Sequence, residues 1–136
     1  MAAPPPLRLP EISRADLAER RFESYILNPE HRLNQKGKGG RKTDGFLQLG
    51  YNLDDGEPRH ASMEHIVRQI RPQLGSSPTE RQEDTPFGQR YQTQTVITGP
   101  NGRKGTAVAS WQIDKGESHP RLLTLWLEVH QEGRDR

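Results

Sequence analysis

After residue 86 the hydrophobic pattern of this chain changes period, and the change restricts the folds open to it. Upstream, apolar side chains recur every three or four residues, the repeat of a helix face; downstream they alternate, the repeat of a strand. Helices first and strands last is the signature of an α+β domain, with N-terminal helices packed on one face of a three- to four-stranded antiparallel sheet.

Three helices are expected in the first half. Over 14–27, Ala18, Phe22, Tyr25 and Ile26 share a face, Ser13 can cap the start, and Asp16 sits in the first turn. Asn28-Pro29 stops this helix, because the residue before a proline is pushed out of the helical region. A glycine- and lysine-rich loop follows, then a short helix over 41–49 with Phe46, Leu47 and Leu49 as its apolar residues and Gly50 as its stop. Residues 52–60 read as polar turns. Ser62 opens a third helix on the stripe Met63, Ile66, Val67 and Ile70, and Pro72 ends it; 75–86 is a polar connection.

The second half reads as a meander. Tyr91, Thr93, Thr95 and Ile97 share one side of a strand over 89–98, and the turn Gly99-Pro100-Asn101-Gly102 follows. Ala107, Ala109, Trp111 and Ile113 share a face of the next strand, over 104–113. The last strand, 121–129, would send Leu123, Leu125, Leu127 and Val129 towards the helices, with Leu122, Thr124, Trp126 and Glu128 on the opposite, open face. A Trp and a Thr there could form a platform for a flat ligand, or the Trp could simply cover the sheet edge.

The length, 136 residues, fits one domain. Residues 1–13 are expected to form a proline-rich arm, 14–130 the domain, and 131–136 a polar tail. The apolar fraction is 29% and the mean hydropathy −1.01, so the core should be thin. The absence of cysteine excludes disulfides, thiolate nucleophiles and cysteine zinc sites. No stretch approaches the roughly 20 apolar residues that span a bilayer. The N-terminus MAAPPPLRLP lacks a basic start followed by an apolar run of ~7–15 residues, so it does not read as a signal peptide. A soluble, cytoplasmic site of action without membrane partners is expected. With a formal net charge of only +2, binding to nucleic acid would need a local basic patch.

The chain has no HExxH, P-loop, GxSxG or GxGxxG motif. His60 and His65 are five apart, a poor helical spacing for one metal, and read as solvated helix residues. His31 follows Asn28-Pro29 and leads into a basic loop; a histidine there can move protons, or can simply bond a carbonyl at the helix end. The loop with Lys36, Lys38, Arg41 and Lys42 has the composition of a phosphate grip, glycines permitting close backbone approach, but a plain solvated loop looks the same. Arg121 presents a planar fork suited to phosphate, or to an ion pair with Glu117 or Asp114.

Several of these segments, YILNPEH, KGKGGRK, FLQLGY, TPFGQRY, ITGPNGR, a strand ending in W-x-I, and PRLLTLW, are in order and spacing similar to an uncharacterised family of small bacterial domains. The likeness runs from Tyr25 to Trp126. That family resembles the barnase–EndoU–colicin–RelE-type toxin ribonucleases, which implies N-terminal helices on an antiparallel sheet and RNA cleavage without metal or other cofactor. The resemblance implies a toxin that acts on RNA, with tRNA and mRNA as candidates, held in check by a cognate immunity or antitoxin protein; delivery into other cells is compatible with it.

Carried onto this chain, the resemblance makes His31, Lys42, Arg121 and Thr124 the catalytic set, with Lys38 competing for the place of Lys42. His31 would serve as base or acid, Lys42 and Arg121 would stabilise the charge of the phosphorane-like state, and Thr124 would bond a phosphate oxygen. The 2′-hydroxyl would attack the adjacent phosphorus, leaving a 2′,3′-cyclic phosphate. Lys36, Lys38 and Arg41 would bind substrate, and Tyr91 or Trp126 would stack a base. Arg121 and Thr124 have opposite parity along a regular strand, so they share a site only if Arg121 precedes the strand or a bulge intervenes. The alternatives are a non-catalytic RNA- or protein-binding module of the same fold and a purely structural adaptor.

Overall fold

A computed structural model describes residues 7–35 and 42–131. Lys36, Lys38 and Arg41 lie outside the described residues, as do most of the polar tail and the first part of the arm.

The described chain is α+β, with helices packing against a four-stranded antiparallel sheet. The helices are α1 (Glu19–Arg21), continued directly by a π-helical turn (Phe22–Ile26), α2 (Asp44–Gln48) and α3 (Glu57–Ile70). The strands β1 (Thr79–Arg81), β2 (Gly88–Thr98), β3 (Lys104–Asp114) and β4 (Arg121–Val129) lie side by side in chain order. The three long strands match the alternating stretches of the sequence, and β1 adds a strand inside the stretch read as a plain connection.

The helical half departs from the expected boundaries for identifiable reasons. The first helix begins at Glu19 instead of residue 14, and Ser13 does not cap it. Asp16 is drawn away to the sheet, where its N–H donates to the Pro120 carbonyl (2.9 Å) and its carbonyl accepts from Leu122 N–H (2.8 Å). The segment thereby covers the start of the edge strand β4. Helix α3 starts at Glu57, earlier than Ser62, because Pro58 sits in its first turn, where no backbone N–H is required. Gly50 does end the second helical segment, with a φ of 92°. Leu9, inside the expected arm, is 2% exposed and belongs to the core, so the domain begins before residue 14.

One apolar layer joins the halves. Phe22 and Ile26 from the π-turn, Phe46 and Leu49 around α2, and Met63, Ile66 and Ile70 from α3 pack with Ile97, Ala109, Trp111, Leu122 and Leu125 of the sheet. Leu47, expected in this layer, is exposed instead. The Trp111 indole donates to Thr93 Oγ1 at 2.9 Å, so its one polar atom is satisfied inside the core. Where β1 stops short, α3 and the turn after it close the edge of β2. Gln69 donates to Thr98 O (3.1 Å) and accepts from Thr98 N (2.8 Å), and Gln73 does the same with Val96 (2.8 and 2.9 Å). Two side-chain amides thus take the place of a neighbouring strand's peptides.

The register of β4 differs from simple alternation. Ser110 pairs with Thr124 and Trp111 with Leu122, which leaves Leu123 as an extra residue in a β-bulge. Leu122, Leu125 and Leu127 therefore face the core, and Leu123, expected there, does not. The bulge also cancels the parity conflict. Arg121, opposite Gln112, and Thr124, opposite Ser110, lie on the same open face of the sheet.

Candidate functional site

Three of the four residues assigned to catalysis meet around a residue that the sequence reading had placed in the core, Tyr25. The π-turn that carries Tyr25 is closed by Leu27 N–H donating to the Phe22 carbonyl at 2.8 Å. Such widened turns are rare and occur often at functional sites. Against the bulged edge of β4, the Tyr25 hydroxyl lies 3.0 Å from Thr124 Oγ1. From the other side, Lys42, just ahead of α2, donates its ammonium to the same hydroxyl at 3.1 Å.

The motif after Tyr25 brings His31 onto it. Asn34, 1% exposed, donates its side-chain amide to the carbonyls of Tyr25 (2.6 Å) and Asn28 (2.9 Å), folding 28–34 back on the π-turn. His31 N–H donates to the Asn28 carbonyl at 3.1 Å. The His31 ring then rests 4.8 Å from the Tyr25 ring, centroid to centroid, tilted by 54°. Arg21 completes the surround: its guanidinium carbon is 5.2 Å from the Tyr25 ring centroid and its Nε donates to the Leu123 carbonyl at 2.9 Å. Thus the bulge that exposes the Leu123 carbonyl also anchors a cation beside the phenol.

Electrostatics follow from this packing. Burial pushes the Tyr25 phenol up, but hydrogen bonds from Thr124 and Lys42 and the charges of Lys42 and Arg21 outweigh it and hold the group below its ordinary value of 10.0. The phenolate is therefore favoured here more than in water.

His31 does not have the freedom expected of a base. Its Nδ1 accepts the N–H of Leu33 at 3.1 Å, capping the short turn Arg32–Asn34. A backbone amide can only donate, so the proton of the neutral ring sits on Nε2. Nε2 is thereby the donor of the neutral ring, and the ring's one lone pair, on Nδ1, is already used.

Arg121 stands apart from this cluster. Its Nε and Nη2 fork onto the two oxygens of Asp114, at 2.7 and 3.2 Å, the ion pair that the sequence offered as the alternative. Arg121, with Gln112 helping, holds the Asp114 carboxyl below its usual value. Tyr91 is not available as a stacking platform: it lies on the core face, 6% exposed, with the Arg81 guanidinium 5.2 Å over its ring. Trp126 does lie on the open face, opposite Val108 and half-buried. His60 and His65 are tied to neighbours, His60 to Glu23 at 3.2 Å and His65 to the Tyr51 hydroxyl at 2.7 Å. Among the described residues, no three His, Asp or Glu side chains group as a metal site.

Sequence reasoning missed Tyr25 and Arg21 as polar participants. Tyr25 opens the YILNPEH motif, but its helical spacing with Phe22 and Ile26 marks it equally as core, and it is in fact buried, 6% exposed.

Among the described residues, no helix is long and apolar enough to cross a membrane. No curated protein and no solved structure matches the chain. A family described as a domain of unknown function, DUF6883, matches residues 8–129, and the chain belongs to that family.

Proposed function

We propose that the protein is a metal-independent endoribonuclease, of the kind used as bacterial toxins, with Tyr25 at the centre of its active site. The observation that carries this reading is the Tyr25 hydroxyl held between the Lys42 ammonium and the Thr124 hydroxyl, with Arg21 and His31 against its ring. A phenol whose ionised form is stabilised by two cations is suited to proton transfer, and the same cations are suited to a phosphate.

In this mechanism the Tyr25 phenolate takes the proton of the 2′-hydroxyl as that oxygen bonds to phosphorus. Lys42 and Arg21 balance the charge of the phosphorane-like state, and Thr124 and the His31 Nε2–H donate to its oxygens. The bond from phosphorus to the 5′-oxygen breaks as Lys42 gives that oxygen a proton. Tyr25 then passes its proton to Lys42 across their 3.1 Å hydrogen bond, which restores the starting pair. The products are a 2′,3′-cyclic phosphate and a free 5′-hydroxyl. RNA would be the partner inside the cytoplasm, with a cognate immunity or antitoxin protein to cover the site.

The capped Nδ1 of His31 favours a second reading, a non-catalytic RNA-binding module in which the same cations hold phosphate without turnover. End-group analysis separates the two. The enzyme reading predicts cyclic-phosphate ends when the purified protein meets RNA in EDTA, and none on an oligonucleotide with a single 2′-deoxy position at the cut site. Binding without new ends in either substrate would establish the module.

A further inference from the structure

Beside the Tyr25 cluster, on the open face of the sheet, lies a cleft of about 500 Å³ that the mechanism above does not use. One wall is Phe87. Phe87 is 69% exposed, more than the other exposed large apolar residues described. An exposed aromatic ring on a loose loop would mean little, but this backbone is fixed. Phe87 N–H donates to Thr85 Oγ1 (3.2 Å), and its carbonyl accepts from Lys115 N–H (3.0 Å). Thr85 and Gly88 exchange two further backbone hydrogen bonds around it, at 3.0 and 3.2 Å. The fold thus holds an apolar ring out in water on a rigid turn, at a cost that a partner would offset.

The polar part of the lining is a hydrogen-bonded chain. Arg90 Nε donates to Gln112 Oε1 (2.8 Å), Gln112 Nε2 donates to Asp114 Oδ1 (2.6 Å), and Asp114 takes the fork of Arg121. Lys115 also lines the cleft, so three cations face one carboxylate. The bonds at the two ends of the chain orient guanidiniums without using all their donors: a guanidinium has five N–H groups, Gln112 receives a bond from one nitrogen of Arg90, and Asp114 receives bonds from two nitrogens of Arg121. A flat apolar side chain and oriented excess positive charge in one cleft suit a ligand that is both planar and anionic. Arg121 and Thr124 share the open face, and because the bulge sets them opposite Gln112 and Ser110, two positions apart on β3, they lie roughly 7 Å apart along the sheet.

We infer that this cleft is a nucleotide subsite for single-stranded RNA, in which a base stacks on Phe87 and its phosphate lies on Arg121, Arg90 and Lys115. The inference rests on the ribonuclease reading and extends it: Arg121 serves the nucleotide next to the one cut at Tyr25. A stacked base is sequence-tolerant, so the subsite adds affinity more than base choice.

The test uses the whole protein and two probes. Adding 5′-AMP should shift the backbone NMR signals of Phe87, Lys115 and Arg121. A short, uncleavable 2′-O-methyl RNA oligonucleotide should bind about tenfold more weakly to Phe87→Ala, and near wild-type strength should return in Phe87→Trp. Arg121→Gln should weaken binding and flatten its salt dependence. Unchanged affinity in Phe87→Ala, with the wild type binding RNA normally, would overturn the cleft alone and leave the Tyr25 reading standing. A wild type that binds no RNA would overturn both.

Discussion

The hydroxyl of Tyr25 lies 3.0 Å from that of Thr124, although the two residues are 99 positions apart in the chain. This contact ties the first helical segment to the last strand at the point where that strand bulges. Around it the chain gathers Lys42, Arg21 and His31, and from it the proposed chemistry follows.

Thr124→Val keeps the shape of the side chain and removes its hydroxyl. The Tyr25 phenol then loses one of the hydrogen bonds that lower its pKa, so it should titrate at higher pH than in the wild type. The stability cost should be about 1 kcal/mol, the usual net worth of one hydrogen bond. Phenolate absorbance followed through an alkaline titration checks the first expectation, and chemical denaturation checks the second.

Tyr51 should behave in the opposite sense. Burial pushes its phenol up to about 12, despite a hydrogen bond from Gln69 that works against the shift. A raised folded-state value means that the neutral form is the one the fold stabilises. Its contribution is complete below the unfolded value of about 10 and is lost as pH rises towards about 12. Denaturation midpoints should therefore fall with pH across that window in the wild type, and less steeply in Tyr51→Phe. Equal slopes in the two proteins would show that Tyr51 is not so buried.

The glutamines that close the edge of β2 give a third expectation. Gln73→Ala removes two hydrogen bonds to Val96 and leaves a strand edge unpaired. A loss of roughly 1–3 kcal/mol is expected, together with a greater tendency to aggregate through that edge. Gln73→Glu should be intermediate, since a carboxylate can still accept from Val96 N–H but cannot donate to its carbonyl. Denaturation and light scattering on the two variants measure both effects.

Much of the sheet was legible because its signals are local. The alternation of Thr93 and Thr95, the turn at Gly99 to Gly102 and the run at the last strand placed β2, β3 and β4 closely. The errors came where a distant partner overrode a local pattern. Asp16 lies inside a good helical stretch, yet the open edge of β4 claims its backbone. Leu123 alternates correctly with Leu125 and Leu127, yet the bulge turns it away from the core. Tyr25 spaces like a core residue, and nothing nearby in sequence announces that Thr124 and Lys42 will meet its hydroxyl. Arg121 could be read as a phosphate ligand or as the partner of Asp114, and only geometry shows the second.

The central claim is that Tyr25 moves the proton, and the rate of RNA cleavage in EDTA by Tyr25→Phe tests it most directly. That variant keeps the buried ring and removes only the hydroxyl, so the protein should stay folded, with a modest loss of stability. Wild-type cleavage should rise with pH and level off below the ordinary tyrosine value of 10.0, while Tyr25→Phe should lose at least a hundredfold in rate and the alkaline rise with it. A folded Tyr25→Phe protein that cleaves RNA at the wild-type rate, with an unchanged pH profile, would contradict the account.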